Sequence, residues 1–145
     1  MFVFDEGSIE IPKQWKDETI NVLSASSDGS LGFTLVINRD ELPWGMTFPE
    51  YVEQEVSKIG ETLTDYKEVM KKEYTLVENP AHIIEYKWKS EQGPIHQFVV
   101  MTAINNKVLI FTASAPKKMS DNQKQQFQKI VQSFKLSSHT AQTGK

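Results

Sequence analysis

Hydrophobic positions recur with two different periods along this chain, and the change from one to the other marks out its elements. From Thr47 onward, Phe48, Val52, Val56, Ile59 and Leu63 return at three- and four-residue spacing, the single apolar stripe of an amphipathic helix. Thr47 with Glu50 three residues later forms a capping box, and Pro49 falls in the first turn, where its missing N–H costs little. A second helix is predicted from Ser120, with Asp121 and Gln123 in its first turn and Phe127, Ile130, Val131 and Phe134 as its stripe. Each helix is apolar on one side only, so each must lie against another layer.

Elsewhere the pattern alternates. Strands are predicted over 8–11, 18–24, 31–39, 67–77, 81–90, 95–104 and 107–115, with turn chemistry at Asp28-Gly29, Asn79-Pro80, Gln92-Gly93-Pro94 and Asn105-Asn106. Strands come in blocks, with one helix after the third and another at the end. That order predicts an α+β fold: an antiparallel β-sheet with the helices packed on one face and the other face left as an open groove. A single domain is expected over 1–136, followed by a polar, fraying tail over 137–145.

The Asn105-Asn106 pair is the most informative turn, because a two-residue hairpin loop fixes the register of both strands it joins. Ile104 then faces Lys107, and pairing proceeds outward. One face receives Phe98, Val100 and Thr102 against Ala113, Phe111 and Leu109, a dense apolar surface for helices to cover. The opposite face receives Gln97, Val99 and Met101 against Ser114, Thr112 and Ile110, aliphatic but studded with hydroxyls and an amide. Strand 31–39 divides likewise, Leu31, Phe33, Leu35 and Ile37 against Gly32, Thr34, Val36 and Asn38. In 18–24, Ile20, Val22 and Ser24 alternate with Thr19, Asn21 and Leu23, and periodicity leaves open which row faces which side. A water-facing row of an antiparallel sheet is ordinarily polar, and Val36, Val99, Met101 and Ile110 are too apolar for that. Either a partner binds the mixed face, or a loop or second subunit covers it for structural reasons.

Composition narrows the chemistry. The 145 residues carry 16 basic and 19 acidic side chains, so neither sign dominates and a phosphate backbone is not the expected partner. There is no cysteine, which removes disulfides, thiolate metal sites and cysteine nucleophiles. The segment Met1-Phe2-Val3-Phe4-Asp5-Glu6 lacks the basic and apolar regions of a signal peptide, and no apolar run reaches the roughly 18 residues of a membrane helix, so a cytoplasmic location without membrane anchoring is expected. His82 and His96 lie near strand starts without a second ligand at metal spacing and read as surface or edge histidines; His139 falls in the tail. Glu53 and Glu55 point to different sides of the first helix and read as solvated. Trp15, Trp44 and Trp88 have no accompanying basic stripe, so core or interface packing is expected of them rather than base stacking. No nucleophile elbow, phosphate loop or dinucleotide fingerprint is present. No catalytic residue, cofactor or metal is expected.

Several stretches taken together resemble a known family: Ile9-Glu10-Ile11-Pro12, Trp15-Lys16-Asp17 followed by Thr19-Ile20-Asn21-Val22, Ile37-Asn38-Arg39-Asp40, Phe48-Pro49-Glu50-Tyr51-Val52, and Glu85-Tyr86-Lys87-Trp88 followed by Gln97. In order and spacing they are similar to the Eag chaperones of bacterial type VI secretion, within the broader DcrB-like family. The resemblance implies a PsbP-like fold and a cytoplasmic homodimer. It also implies a partner: the N-terminal transmembrane helices of a PAAR-domain effector, kept soluble until loading onto the secretion spike. Position by position it implicates Ile20, Val22, Thr34, Val36, Asn38 and Gln97; adding the rest of the mixed rows extends the candidate groove to Ser24, Val99, Met101, Ile110, Thr112 and Ser114. One departure is Glu55, where a relative carries glutamine.

Overall fold

A computed structural model describes residues 1–24 and 33–136. The turn expected at Asp28-Gly29, the start of strand 31–39 and the tail over 137–145 lie outside the described residues. In order, the elements are β1 (Phe2–Phe4), β2 (Gly7–Ile9), β3 (Asn21–Ser24), β4 (Thr34–Glu41), α1 (Phe48–Thr62), β5 (Lys67–Leu76), β6 (Asn79–Ser90), β7 (Gly93–Ile104), β8 (Lys107–Pro116) and α2 (Asp121–Gln132). β1 and β2 form a separate hairpin, of which only the second strand was expected, shifted to Gly7–Ile9. The other six make one antiparallel sheet in the order β3-β4-β8-β7-β6-β5.

The register read from Asn105-Asn106 is the register observed. Ile104 pairs with Lys107, Val99 with Thr112 and Gln97 with Ser114, and Asn105 takes the left-handed φ of +59° that asparagine tolerates. Two other turns differ from expectation by residues. The β5–β6 loop is Val77-Glu78, not Asn79-Pro80; Asn79 and Pro80 are already paired with Leu76 and Thr75. Pro80 is accommodated as the second residue of its strand. The β6–β7 loop is Glu91-Gln92, with Ser90 opposite Gly93, whose φ of +117° needs glycine.

Both helices begin where expected, and both carry capping boxes, of which the one at Thr47 was foreseen. Thr47 Oγ1 accepts from the Glu50 N–H while Glu50 accepts from the Thr47 N–H, and Ser120 with Gln123 does the same. Their placement differs from the prediction: they do not share a face. α2 packs on the dense apolar face, where Phe127 and Val131 join Leu35, Ile83, Phe98, Val100, Phe111 and Ala113. Phe98 meets Phe127 edge-on at 5.4 Å, and Phe111 meets Phe134 at 5.7 Å. Ile130, expected on that stripe, lies at its margin and stays exposed. α1 packs on the mixed face, where Phe48, Tyr51 and Val52 bury Ile84, Tyr86, Val99, Met101 and Val108. The physical reason lies in the connection. β4 ends at Glu41, six residues before α1, and Asp40 on the mixed face accepts a hydrogen bond of 2.7 Å from the Tyr51 hydroxyl. Burial and that carboxylate together push the Tyr51 pKa upward, so the hydroxyl stays a donor.

His82 and His96 are not surface or edge residues as expected. His96 is 1% exposed, on the α2 face. Its Nε2 lies 2.7 Å from Glu85 Oε2, and its Nδ1 accepts from the Met119 N–H at 2.8 Å. Because Nδ1 is an acceptor, Nε2 carries the proton and donates to Glu85. Lys124 Nζ, from the first turn of α2, reaches the same carboxylate oxygen at 2.8 Å. The cluster ties the start of α2 to β6 and β7. His82 is half-buried, edge-on to Phe48 at 5.7 Å.

Candidate partner-binding groove

Directly opposed residues in an antiparallel pair share a face, so the registers define rows that cross the whole sheet. One row reads Ser24, Thr34, Ser114, Gln97, Tyr86. The next reads Val22, Val36, Thr112, Val99, Ile84, and the next Asn38, Ile110, Met101, His82. This settles the orientation left open by periodicity: Val22 and Ser24 belong to the mixed face. Ile20 precedes β3 and so has no register position, but it is exposed.

α1 divides these rows. Phe48 starts over His82, Tyr66 meets Tyr86 just past the helix, and the Lys89 N–H donates to the Thr64 carbonyl at 2.8 Å. The helix therefore runs along β6 and β7 and buries Val108 of β8, and among the described residues the rest of the β8-β4-β3 half is uncovered. Val99 and Met101, expected in the groove, are only 3% and 2% exposed and belong to the core under α1. Thr34, Val36, Asn38, Gln97, Ile110, Thr112 and Ser114 are half-buried, and Val22 and Ser24 are exposed at the edge strand. The result is a shallow strip with aliphatic side chains down its middle, small polar groups along one side, and α1 as a wall.

Two contacts orient that wall. Glu53 pairs with Lys71 of β5 at 3.4 Å, whereas Tyr51 reaches β4, so the two lie on opposite flanks of α1. Glu55, one turn beyond Tyr51, is half-buried on the β4 flank and stands beside the open strip, with Lys58 at 3.5 Å. It is therefore not simply solvated, as its spacing suggested.

Trp88 was missed as a participant. Its Nε1–H donates to Gln97 Oε1 at 2.8 Å, and Gln97 Nε2 donates to Ser114 Oγ at 2.8 Å. Trp88 and Gln97 lie in facing strands two rungs apart, a diagonal that register makes visible once the β6–β7 loop is known. Of the other tryptophans, Trp15 is exposed and Trp44 fully so; neither packs in the core.

A concavity of about 960 Å³ lies at the far end of β4 and β8. Lys16, Arg39, Lys107 and Lys135 line it with Asp17, Asp40 and Glu41, so its charges nearly cancel, and Asp40 is committed to Tyr51. Among the described residues no cluster of three or more His, Asp or Glu could hold a metal ion, and no helix is long and apolar enough to cross a membrane.

An antiparallel sheet with a helix on each face and an open strip beside one of them defines a small α+β protein whose accessible surface suits binding. The chain belongs to the DcrB family, whose sequence profile matches residues 6–133. It is 24% identical over 92 residues to Effector EagT6 of Pseudomonas aeruginosa, a match spanning 63% of this chain and 64% of that protein. The resemblance read from the sequence holds at this level. The crystal structure of PA94 from Pseudomonas aeruginosa, a protein of unknown function described as a putative regulator, superposes with a TM-score of 0.78 at 22% identity, covering 94% of this chain and 95% of the other. The solution structure of cyanobacterial PsbP from Synechocystis sp. PCC 6803 gives 0.56 at 11% identity, over 89% and 99% of the two chains. These likenesses establish the fold, and the PsbP-like expectation is met.

Proposed function

We propose that this chain is a non-enzymatic cytoplasmic chaperone, acting as a homodimer, that shelters the N-terminal transmembrane helices of a PAAR-domain type VI secretion effector. The observation that carries the reading is the uncovered strip of Val22, Val36, Thr112 and Ile110 flanked by Ser24, Thr34, Ser114, Gln97 and Asn38. A transmembrane helix satisfies its own backbone, so in water it lacks only apolar shelter and partners for its few polar side chains. The strip offers both at once. Similarity to EagT6 supports the link to effectors.

The test is co-expression with a candidate effector whose N-terminus carries apolar helices. Val36→Asp and Ile20→Asp each put a charge where the helix would lie, at positions that are half-buried and exposed in the free chain. Both variants should fold, and both should lose effector stabilisation. Undiminished effector levels in the two variants would remove the groove assignment. Capture only of proteins lacking apolar N-terminal segments would instead indicate a binding module with a different ligand.

A further inference from the structure

The hydrogen-bond chain at the edge of the strip has a fixed polarity. An indole N–H can only donate, so Trp88 forces Gln97 to present Oε1 toward it and Nε2 toward Ser114. Ser114 Oγ is thereby an acceptor for Gln97, and its own proton must be directed elsewhere. Among the described residues that proton finds no acceptor, and Ser114 lies half-buried on the uncovered part of the face. Gln97 Nε2 likewise has a second hydrogen to offer. The chain Trp88→Gln97→Ser114 thus delivers donors to the strip and takes up acceptor capacity on the way.

We infer that Ser114 is a directed hydrogen-bond donor that selects apolar helices carrying an acceptor at the contact point, and that Trp88 is the positioning residue that sets its direction through Gln97. This rests on the groove reading above. The matching ligand group is a hydroxyl or ether oxygen, or a main-chain carbonyl left free where a helix is interrupted. Trp88 acts without reaching the ligand, because removing its N–H frees the Gln97 amide to turn over and offer Oε1 to Ser114, which reverses the polarity of the chain.

The probes are three labelled peptides of about 20 residues, the length of a membrane-spanning helix, built of Leu and Ala with flanking lysines and a central Ala, Ser or O-methylserine. Binding to the full chain is followed by fluorescence anisotropy in dilute mild detergent. O-methylserine accepts but cannot donate. The Ser and O-methylserine peptides should bind about fivefold more tightly than the Ala peptide, the size of one hydrogen bond. Ser114→Ala should erase that ratio, Trp88→Phe should reduce it, and Ser114→Thr should retain it. A purely structural role for Trp88 would weaken all three peptides alike and leave the ratio unchanged, which overturns its positioning role. A preference for Ser without one for O-methylserine overturns the donor assignment. If all three peptides bind equally and Val36→Asp releases them, the groove stands and this inference falls; if none binds, both fall.

Discussion

The two faces of the sheet use similar residues to different ends. Under α2, Phe98, Val100, Phe111 and Ala113 meet a helix stripe and are sealed, with the Glu85–His96–Lys124 cluster fixing the helix start. On the other face α1 seals only Ile84, Tyr86, Val99, Met101 and Val108, and among the described residues nothing covers the rest of β8, β4 and β3. Two helices of similar length, each with a capping box, thus leave unequal cover. The difference lies in what each helix reaches: α2 has Phe134 beyond its end to cover Phe111, whereas α1 is tied by Glu53 to Lys71 of β5 and leaves the strip open. Under the proposed function, the incompletely covered face of the sheet is where the partner binds.

The contrast can be tested by breaking each face in turn. Phe98→Ala, at a fully sealed position, should cost about 3–5 kcal/mol, whereas Val36→Ala on the open strip should cost about 1 kcal/mol; urea denaturation midpoints with unchanged slopes would measure both. Equal costs would mean that the strip is structural core rather than free surface. Next in size is Glu85→Gln, which weakens two charge-assisted contacts and should cost about 2 kcal/mol, while Lys71→Gln, at an exposed pair on the α1 side, should cost no more than about 0.5 kcal/mol.

Acid should probe both faces at once. Burial lowers the His96 pKa, with Lys124 and Lys87 adding to it against the Glu85 hydrogen bond; burial also lowers His82, opposed chiefly by Glu73. Protonating His96 at Nδ1 would also set its proton against the Met119 N–H. A lowered folded-state pKa means the unfolded chain takes up the proton first. Stability is therefore full above about pH 6.5 and is lost as pH falls from there toward the folded values. Glu85 adds the same sign at lower pH: burial raises its pKa, but Lys124 and His96 outweigh burial and hold it below the ordinary value. The melting temperature should fall between pH 7 and pH 5, less steeply in His96→Gln and in His82→Gln. Parallel curves for wild type and both variants would contradict this assignment. One expected effect is a gain. Val77 and Glu78 hold φ of +50° and +67°, which a β-branched residue resists. Val77→Asn with Glu78→Gly, suited to a type I′ loop, should add about 0.5–1 kcal/mol without touching either face.

Much of this was legible in the chain. Local chemistry set the helix starts, because a cap and its N3 partner are three residues apart and need nothing else. Asn105-Asn106 set the β7–β8 register, because a two-residue loop leaves no slack, and with it the pairing of Gln97 with Ser114 and Val99 with Thr112. The mixed character of Thr34, Val36 and Asn38 was equally plain from alternation. Contacts between distant segments decided the rest. Val22 and Ser24 acquired a face only through pairing with β4. Val99 and Met101 left the candidate groove because α1 lies over them, and Trp88 entered it through a diagonal contact. His96 became a core residue because α2 supplies Met119 and Lys124. Periodicity tells a helix that it has an apolar side; it does not say which face of a two-sided sheet that side will cover, since the answer depends on chain connection and on packing summed over the whole fold.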